Sequence, residues 1–193
     1  MARNDKDFRS DQLGNSDLTH FYLTEKQRKS LLKWLLFGVV GLVLQVLQDV
    51  LLSRANILGG TTDLIPCFIL LSCVLLDAET GVVFCLVESS LYVFSGSAPG
   101  TYVIILLTAL GAVSAIFRQA FLRKGFNAAI LCAGTAMVIY ELAIFFVGLF
   151  LGLTNLSRMG VFLATGIVSV AVMPLLYPIL SAIGKIGGES WKE

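Results

Sequence analysis

Apolar residues fall into six runs along the chain, separated by short polar segments. The runs cover residues 31–52, 63–76, 81–94, 102–117, 127–153 and 159–183. A helix needs roughly 20 apolar residues to cross the hydrocarbon core of a bilayer. The second and third runs have about 14 residues each, or about 21 Å of helix, and fall short of that length. The pattern predicts an all-α membrane protein, a bundle of six transmembrane helices in which the second and third are short.

The two short helices leave two arrangements open. A tight polar turn at residues 77–81 joins them. They either span the bilayer with ragged ends or form a re-entrant hairpin that other helices shield from lipid. In the last run, Pro174 and Pro178 each remove a backbone hydrogen bond, so we expect a kink near the end of that helix.

Composition agrees with a membrane location. Of the 193 residues, 56% are hydrophobic and 14% are charged, whereas about a quarter of a soluble chain is charged. A net charge of +1 gives no reason to expect nucleic acid as a partner. The single histidine, His20, lies in the polar N-terminal tail, and the sequence has no C-x-x-C, phosphate-loop or dinucleotide motif. We therefore expect no metal and no cofactor, and we interpret the four cysteines as small buried apolar residues.

Basic residues predict the orientation of the chain. The N-terminal tail, the turn at residues 77–80, the loop at residues 118–126 and the C-terminal tail together hold 12 of the 14 Lys and Arg residues, and the other side holds only Arg54 and Arg158. Cytoplasmic loops carry the excess of positive charge. We expect both termini in the cytoplasm, with a disordered polar tail at residues 1–23, a membrane domain at residues 24–184 and a short tail at residues 185–193.

A basic cluster precedes the first span. Thr24 and Gln27 have the spacing of a capping box, so a helix should begin at Thr24 and continue into the first span. That helix carries the cluster Lys26, Arg28, Lys29 and Lys33 at the membrane surface. The cluster attracts anionic lipid or simply sets the orientation, and we favour the second interpretation.

Three acidic residues, Asp49, Glu88 and Glu141, lie inside the predicted spans. A carboxyl group there is costly and usually faces the protein interior. Each shares a helical face with small or polar residues, which suits close helix contact in lipid. We expect the acids to point into the bundle or toward a partner. A hydrogen-bonded interior network is the favoured role, ahead of partner contact and of a substrate or proton site.

Small and polar residues mark candidate packing surfaces. Gly148 and Gly152 have the spacing of a helix-packing motif, although its specificity is low. On the first helix, Gly41, Gln45 and Gln48 form a polar stripe. This stripe either contacts a partner helix or packs on helices of the same chain. We see no nucleophile–base pair beside the acids, and therefore expect no enzymatic activity.

Several segments resemble a known family. The second helix opens with Thr-Asp-Leu-Ile-Pro at residues 62–66, and the third carries a midpoint acid in Leu-Val-Glu at residues 86–88. A Ser-Gly-Ser-Ala-Pro-Gly-Thr-Tyr turn at residues 95–102 then leads into the fourth helix. Over about residues 40–184 the chain is similar to MreD, the small integral membrane component of the bacterial rod-shape system.

This resemblance implies a non-enzymatic scaffold in the bacterial cytoplasmic membrane. Its partner would be an MreC-like protein with a single membrane span, and through it MreB and the RodA–transpeptidase peptidoglycan synthase. A small-molecule ligand is not expected. The fold would resemble that of the substrate-binding S components of energy-coupling-factor vitamin transporters, and such an S component is the alternative function. Against that alternative, both tryptophans, Trp34 and Trp191, lie at cytoplasmic-side ends, away from the outer loops where a vitamin pocket would need them.

Overall fold

A computed structural model of the chain describes residues 25–50, 62–76, 78–121 and 125–186. The predicted disordered tail at residues 1–23, Thr24 and the end of the C-terminal tail lie outside these residues. The described part contains six α-helices and one 3-10 turn at Leu156–Arg158. The α-helices are α1 Glu25–Val50, α2 Leu64–Leu75, α3 Ala78–Phe94, α4 Tyr102–Phe121, α5 Phe126–Phe150 and α6 Met159–Gly184. The six-helix prediction is therefore confirmed for the part of the chain that the structure describes.

The chain is an integral membrane protein by the length and composition of its helices. Four helical segments are long and apolar enough to cross a bilayer: Arg28–Val50, Tyr102–Phe121, Phe126–Phe150 and Leu156–Gly184. The Ser97 hydroxyl, in the α3–α4 turn, donates to Asp49 Oδ1 near the end of α1 at 2.8 Å, so these two elements lie at one end of the bundle, which we call the Ser97 end.

The short helix α2 occupies the centre of the bundle. Every residue from Leu64 to Leu75 is buried, and α2 packs against all five other α-helices. Its 12 residues are nearly all apolar, and a helix that is hydrophobic all round is stable only when it is surrounded. Its length of about 18 Å is well below the 30 Å of a hydrocarbon core. The other helices therefore shield α2 on all sides, as the hairpin arrangement would require.

Close contacts at two glycines pack α2, α3 and α4 against one another. A Cβ added at Gly81 of α3 would lie 2.6 Å from the Cys73 carbonyl oxygen of α2. One added at Gly111 of α4 would lie 2.9 Å from Cys85 Sγ, and the Cys85 thiol donates to the Leu107 carbonyl at 3.2 Å. Helices approach this closely in membranes where small residues line the contact. All four cysteines are buried free thiols.

Helix α1 is peripheral. Its buried residues, Phe37, Gly41, Leu44 and Gln48, are spaced by four, three and four positions and form a single face toward α2. The opposite face consists of exposed Leu and Val side chains, with Val46 63% exposed. Such a face suits contact with lipid.

Three helix boundaries differ from those predicted. Helix α3 begins at Ala78 rather than residue 81, and α4 continues to Phe121. Helix α5 ends at Phe150, before the predicted residue 153, because Gly152 adopts a left-handed φ of 70°. The N–H of Gly152 donates to the Leu149 carbonyl and that of Leu153 to the Gly148 carbonyl, which is the Schellman pattern that ends a helix. Helix α6 runs on through Pro174 and Pro178.

Candidate functional site

Helix α2 begins inside the bundle rather than at its surface. The backbone N–H of Asp63, the residue before α2, donates to Ser169 Oγ at 3.0 Å. Ser169 lies ten residues after the start of α6, about 15 Å along that helix. The N-terminus of α2 therefore lies near the middle of the membrane-spanning helices, where its free N–H groups need partners.

Side chains from two other helices supply those partners. Gln48 Oε1 of α1 accepts a hydrogen bond from the Ile65 N–H at 2.9 Å, and Ser169 of α6 accepts the one from Asp63. The next residue, Pro66, has no N–H to satisfy. The Cys67 thiol in turn donates to the Ser169 carbonyl at 3.3 Å. Residues far apart in sequence thus fix the start of α2 in place.

The Asp63 side chain does not cap α2, although Asp63 occupies the N-cap position. Its carboxyl group instead interacts with that of Glu141, at the middle of α5, within side-chain hydrogen-bonding range. Glu141 is 2% exposed. Two acids from separate helices therefore meet inside the bundle.

Two buried phenols complete this polar cluster. Tyr140 of α5 and Tyr92 of α3 are fully buried or nearly so, and their hydroxyl groups lie next to each other. Both hydroxyls are within electrostatic range of the Asp63 and Glu141 carboxyls. We call Asp63, Glu141, Tyr92, Tyr140 and Ser169 the central polar cluster.

The central polar cluster is incompletely hydrogen-bonded. Glu141 Oε1 is buried and has no hydrogen-bond partner in the described structure, whereas the buried Tyr140 hydroxyl has the Tyr92 hydroxyl beside it. Buried polar groups are usually satisfied, because a group left without a partner loses the hydrogen bonds that water gave it.

Glu88 lies outside this cluster, between α3 and α1. It is 6% exposed, and its carboxyl packs against Gly41, where an added Cβ would lie 2.9 Å from Glu88 Oε2 and 3.0 Å from Phe68 Cε1. The contact is intramolecular. The polar stripe of the first helix, which we expected to contact either a partner or the same chain, thus packs on the same chain at Gly41 and Gln48. Gln45 is half-buried beside them.

Asp49 does not point into the bundle, which was one of the two orientations expected for the three acids; contact with a partner, the other one, stays a prediction. Asp49 is exposed and accepts the hydrogen bond from Ser97. The reason is helical geometry, since the inner face of α1 passes through Leu44 and Gln48, and the next residue is rotated by about 100°.

Gly148 and Gly152 of α5 do not form the helix-packing pair that their spacing predicted. Gly152 lies beyond the end of the helix, and an added Cβ there would meet nothing within 4 Å. Gly148 is the member that packs closely, with an added Cβ 3.2 Å from Thr154 Cγ2. Gly152 therefore terminates α5 rather than joining two helices.

A groove between α5 and α6 opens toward lipid. It measures about 490 Å³ and includes Asn127, Gly134 and Thr135 of α5. Pro174 and Val170 of α6 form its other side. Because Pro174 has no N–H, the Val170 carbonyl lacks its usual helical donor. This groove combines small and polar groups on an otherwise apolar surface.

The basic cluster forms the first turns of α1. Lys26 falls within the helix, Arg28 and Lys29 are exposed, and Lys33 is half-buried. Within residues 25–50, 62–76, 78–121 and 125–186, no group of three or more His, Cys, Asp or Glu side chains could hold a metal ion.

Sequence reasoning missed the partnership of Asp63 with Glu141. Asp63 has the position typical of a helix cap, since it precedes an apolar run with a proline at its third position. The shortness and apolarity of that run could have indicated the contact. A short helix that is apolar all round has to be buried, and the residue before it then lies in the interior as well.

Comparison with known proteins identifies no relative: no family model, curated protein or solved structure matches the chain.

Proposed function

We propose that the chain is a non-enzymatic membrane scaffold of the bacterial rod-shape and peptidoglycan-elongation machinery. In this role it binds the single span of an MreC-like protein, and through it MreB and the RodA–transpeptidase synthase. The observation that carries the proposal is the lipid-facing groove between α5 and α6. Helix association in lipid depends on small residues and on polar groups that bond across helices.

The groove fits one transmembrane helix. Gly134, which is buried against Val170 of α6, adds no side chain to the groove, and Asn127 is an exposed amide in its lining. Ile167, 66% exposed, and Leu131, 62% exposed, supply apolar contact at its centre. The outer face of α1 also has an apolar surface groove, lined by Leu42, Val43, Val46, Leu47 and Val50, but it has no polar or small residue. We therefore place the partner on the α5–α6 groove.

Co-purification with the MreC-like protein of the same bacterium tests this surface. Thr135→Phe and Ile167→Phe fill the groove at exposed positions, and they should reduce recovery of the partner at least tenfold. Val43→Phe and Val46→Phe add the same bulk to the equally exposed outer face of α1 and serve as matched controls. If the α1 variants lose the partner and the groove variants keep it, the assigned surface is wrong.

The cellular role is tested separately. Depletion of the chain should turn rod-shaped cells round, and the groove variants should fail to restore the rods while the α1 variants restore them. Normal rod growth after complete removal of the chain would contradict the scaffold role itself.

The alternative function is that of a substrate-binding S component of a vitamin transporter, and the central polar cluster is the observation that favours it. The chain has a short, buried second helix inside a six-helix bundle. We propose that it shares this architecture with the S-component fold. Nanomolar binding of a vitamin to the purified chain would favour this function over the scaffold, as tight transport sites reach such affinities.

A further inference from the structure

Two prolines remove backbone donors from the middle of α6. Pro174 and Pro178 both lie inside this helix, and a proline leaves the carbonyl four residues before it without its helical N–H donor. The carbonyls freed in this way are those of Val170 and Pro174, one helical turn apart. They lie about 17 and 23 Å from the start of α6, in a helix about 39 Å long.

Both freed carbonyls belong to residues that line the groove between α5 and α6. Pro174 and Pro178 are exposed and Val170 is half-buried, and their spacing of four places them on one ridge of α6. Water is absent from the hydrocarbon core, so a backbone polar group there needs a partner from protein. Acyl chains have no hydrogen-bond donor, and lipid in the groove would leave both acceptors unsatisfied.

The side chains of the groove do not supply the missing donors. The Thr135 hydroxyl donates to the Leu131 carbonyl of its own helix at 2.8 Å. A Cβ added at Gly134 would lie 3.2 Å from Val170 Cγ1, so Val170 is level with Gly134, whereas Asn127 lies about 10 Å away along α5. Among the residues that the structure describes, no side chain donates to either freed carbonyl.

We propose that the transmembrane helix bound in this groove carries two hydrogen-bond donors one turn apart, which bond to the Val170 and Pro174 carbonyls. Residues three or four positions apart lie on one face of a helix, about 4.5–6 Å apart along its axis, and this matches the spacing of the two acceptors. The donors are hydroxyl or carboxamide side chains, because these bond across helices in lipid without burying a charge.

The inference rests on the proposed scaffold function, since that function places a transmembrane helix in the groove. It specifies the chemistry of the partner's span: Ser, Thr, Asn or Gln at two positions three or four apart, at the depth of the middle of α6.

Designed transmembrane peptides test the donor pair against the full chain in dodecylmaltoside micelles. Each is a fluorophore-labelled Leu and Ala helix of about 21 residues with Lys at its ends. One peptide has Ser at two central positions four apart, and the matched peptide has Ala at both. Energy transfer to a fluorescent protein fused after the C-terminus measures binding. The Ser peptide should bind roughly tenfold more tightly, since each bond between helices contributes about threefold or more in affinity.

Alanine substitutions close the acceptors without filling the groove. Pro174→Ala and Pro178→Ala restore the missing N–H, so the Val170 and Pro174 carbonyls each regain a bond within α6. Each change should reduce the preference for the Ser peptide about threefold, and the double variant should abolish it. Leu175→Ala, at a 71% exposed position of α6 outside the groove lining, is the matched control and should keep the preference. Thr135→Phe fills the groove and should weaken binding of both peptides.

Equal affinities of the two peptides for the unaltered chain would overturn the donor pair, and so would a preference that survives the double variant or binding that Thr135→Phe leaves intact. These results are distinguishable from failure of the scaffold role. Co-purification of the MreC-like protein together with equal peptide affinities would refute the donor pair and leave the scaffold role standing. A Ser preference that the double variant abolishes, in a chain that does not retain the MreC-like protein, would support the donor pair and contradict that partner.

Discussion

Gln48 of α1 and Ile65 of α2 are joined by a hydrogen bond of 2.9 Å from the Ile65 N–H to Gln48 Oε1. This bond links a peripheral helix to the central one and satisfies a donor at a helix start that lies inside the bundle. Since water cannot reach that donor, the bond has no replacement when the side chain is changed.

Gln48→Leu should therefore destabilise the protein by about 1–3 kcal/mol, the cost of leaving a buried donor without a partner. Unfolding in mixed SDS–dodecylmaltoside micelles measures the change. Gln45→Leu is the matched control, because Gln45 is half-buried on the same helix and accepts no bond from the start of α2. Equal losses in the two variants would show that the Gln48 bond has no special importance.

Tight packing at Gly81 gives a second prediction. A Cβ added at Gly81 would lie 2.6 Å from the backbone oxygen of Cys73. A backbone oxygen cannot rotate away as a flexible side chain can. Gly81→Ala should cost about 1–3 kcal/mol through overpacking, in spite of the better helix propensity of Ala.

Gly160→Ala on α6 makes the same chemical change where an added Cβ meets nothing within 4 Å. It should be neutral or slightly stabilising. The comparison uses the same micelle unfolding, and a stable Gly81→Ala variant would mean that α2 and α3 can separate without loss.

The apolar pattern of the sequence predicted most of the helices but not how deeply each one is buried in the bundle. Apolar run lengths identified six helices, because a membrane segment must be apolar along its whole length. The same patterns did not show that Asp63 meets Glu141, since that contact depends on α2 being buried inside the bundle. Gly152 illustrates a further limit. Its spacing from Gly148 is typical of helix packing, yet a left-handed φ and a Schellman pattern end the helix there.

Orientation in the membrane is a third prediction. The distribution of 12 and 2 basic residues predicts that both termini lie in the cytoplasm, so the Ser97 end of the bundle should face outward. Alkaline phosphatase inserted in the exposed α3–α4 turn should be active, and green fluorescent protein after the C-terminus should fluoresce. A second phosphatase insertion beside Gly125, between α4 and α5, should be inactive. Activity at both phosphatase positions would contradict the arrangement.

The contact of Gly41 with Glu88 gives the last prediction. An added Cβ at Gly41 would lie 2.9 Å from Glu88 Oε2 and 3.0 Å from Phe68 Cε1. Gly41→Ala must therefore displace the Glu88 carboxyl and should destabilise the protein by about 1–3 kcal/mol. In a Glu88→Ala background the first clash is absent, so the same change should cost less, with a coupling of about 0.5–2 kcal/mol between the two positions. Gly38→Ala, one turn earlier, meets nothing within 4 Å and should show no coupling to Glu88. The four-variant cycle is measured by micelle unfolding, and a coupling near zero at Gly41 would show that α1 is not held against α3 through this contact.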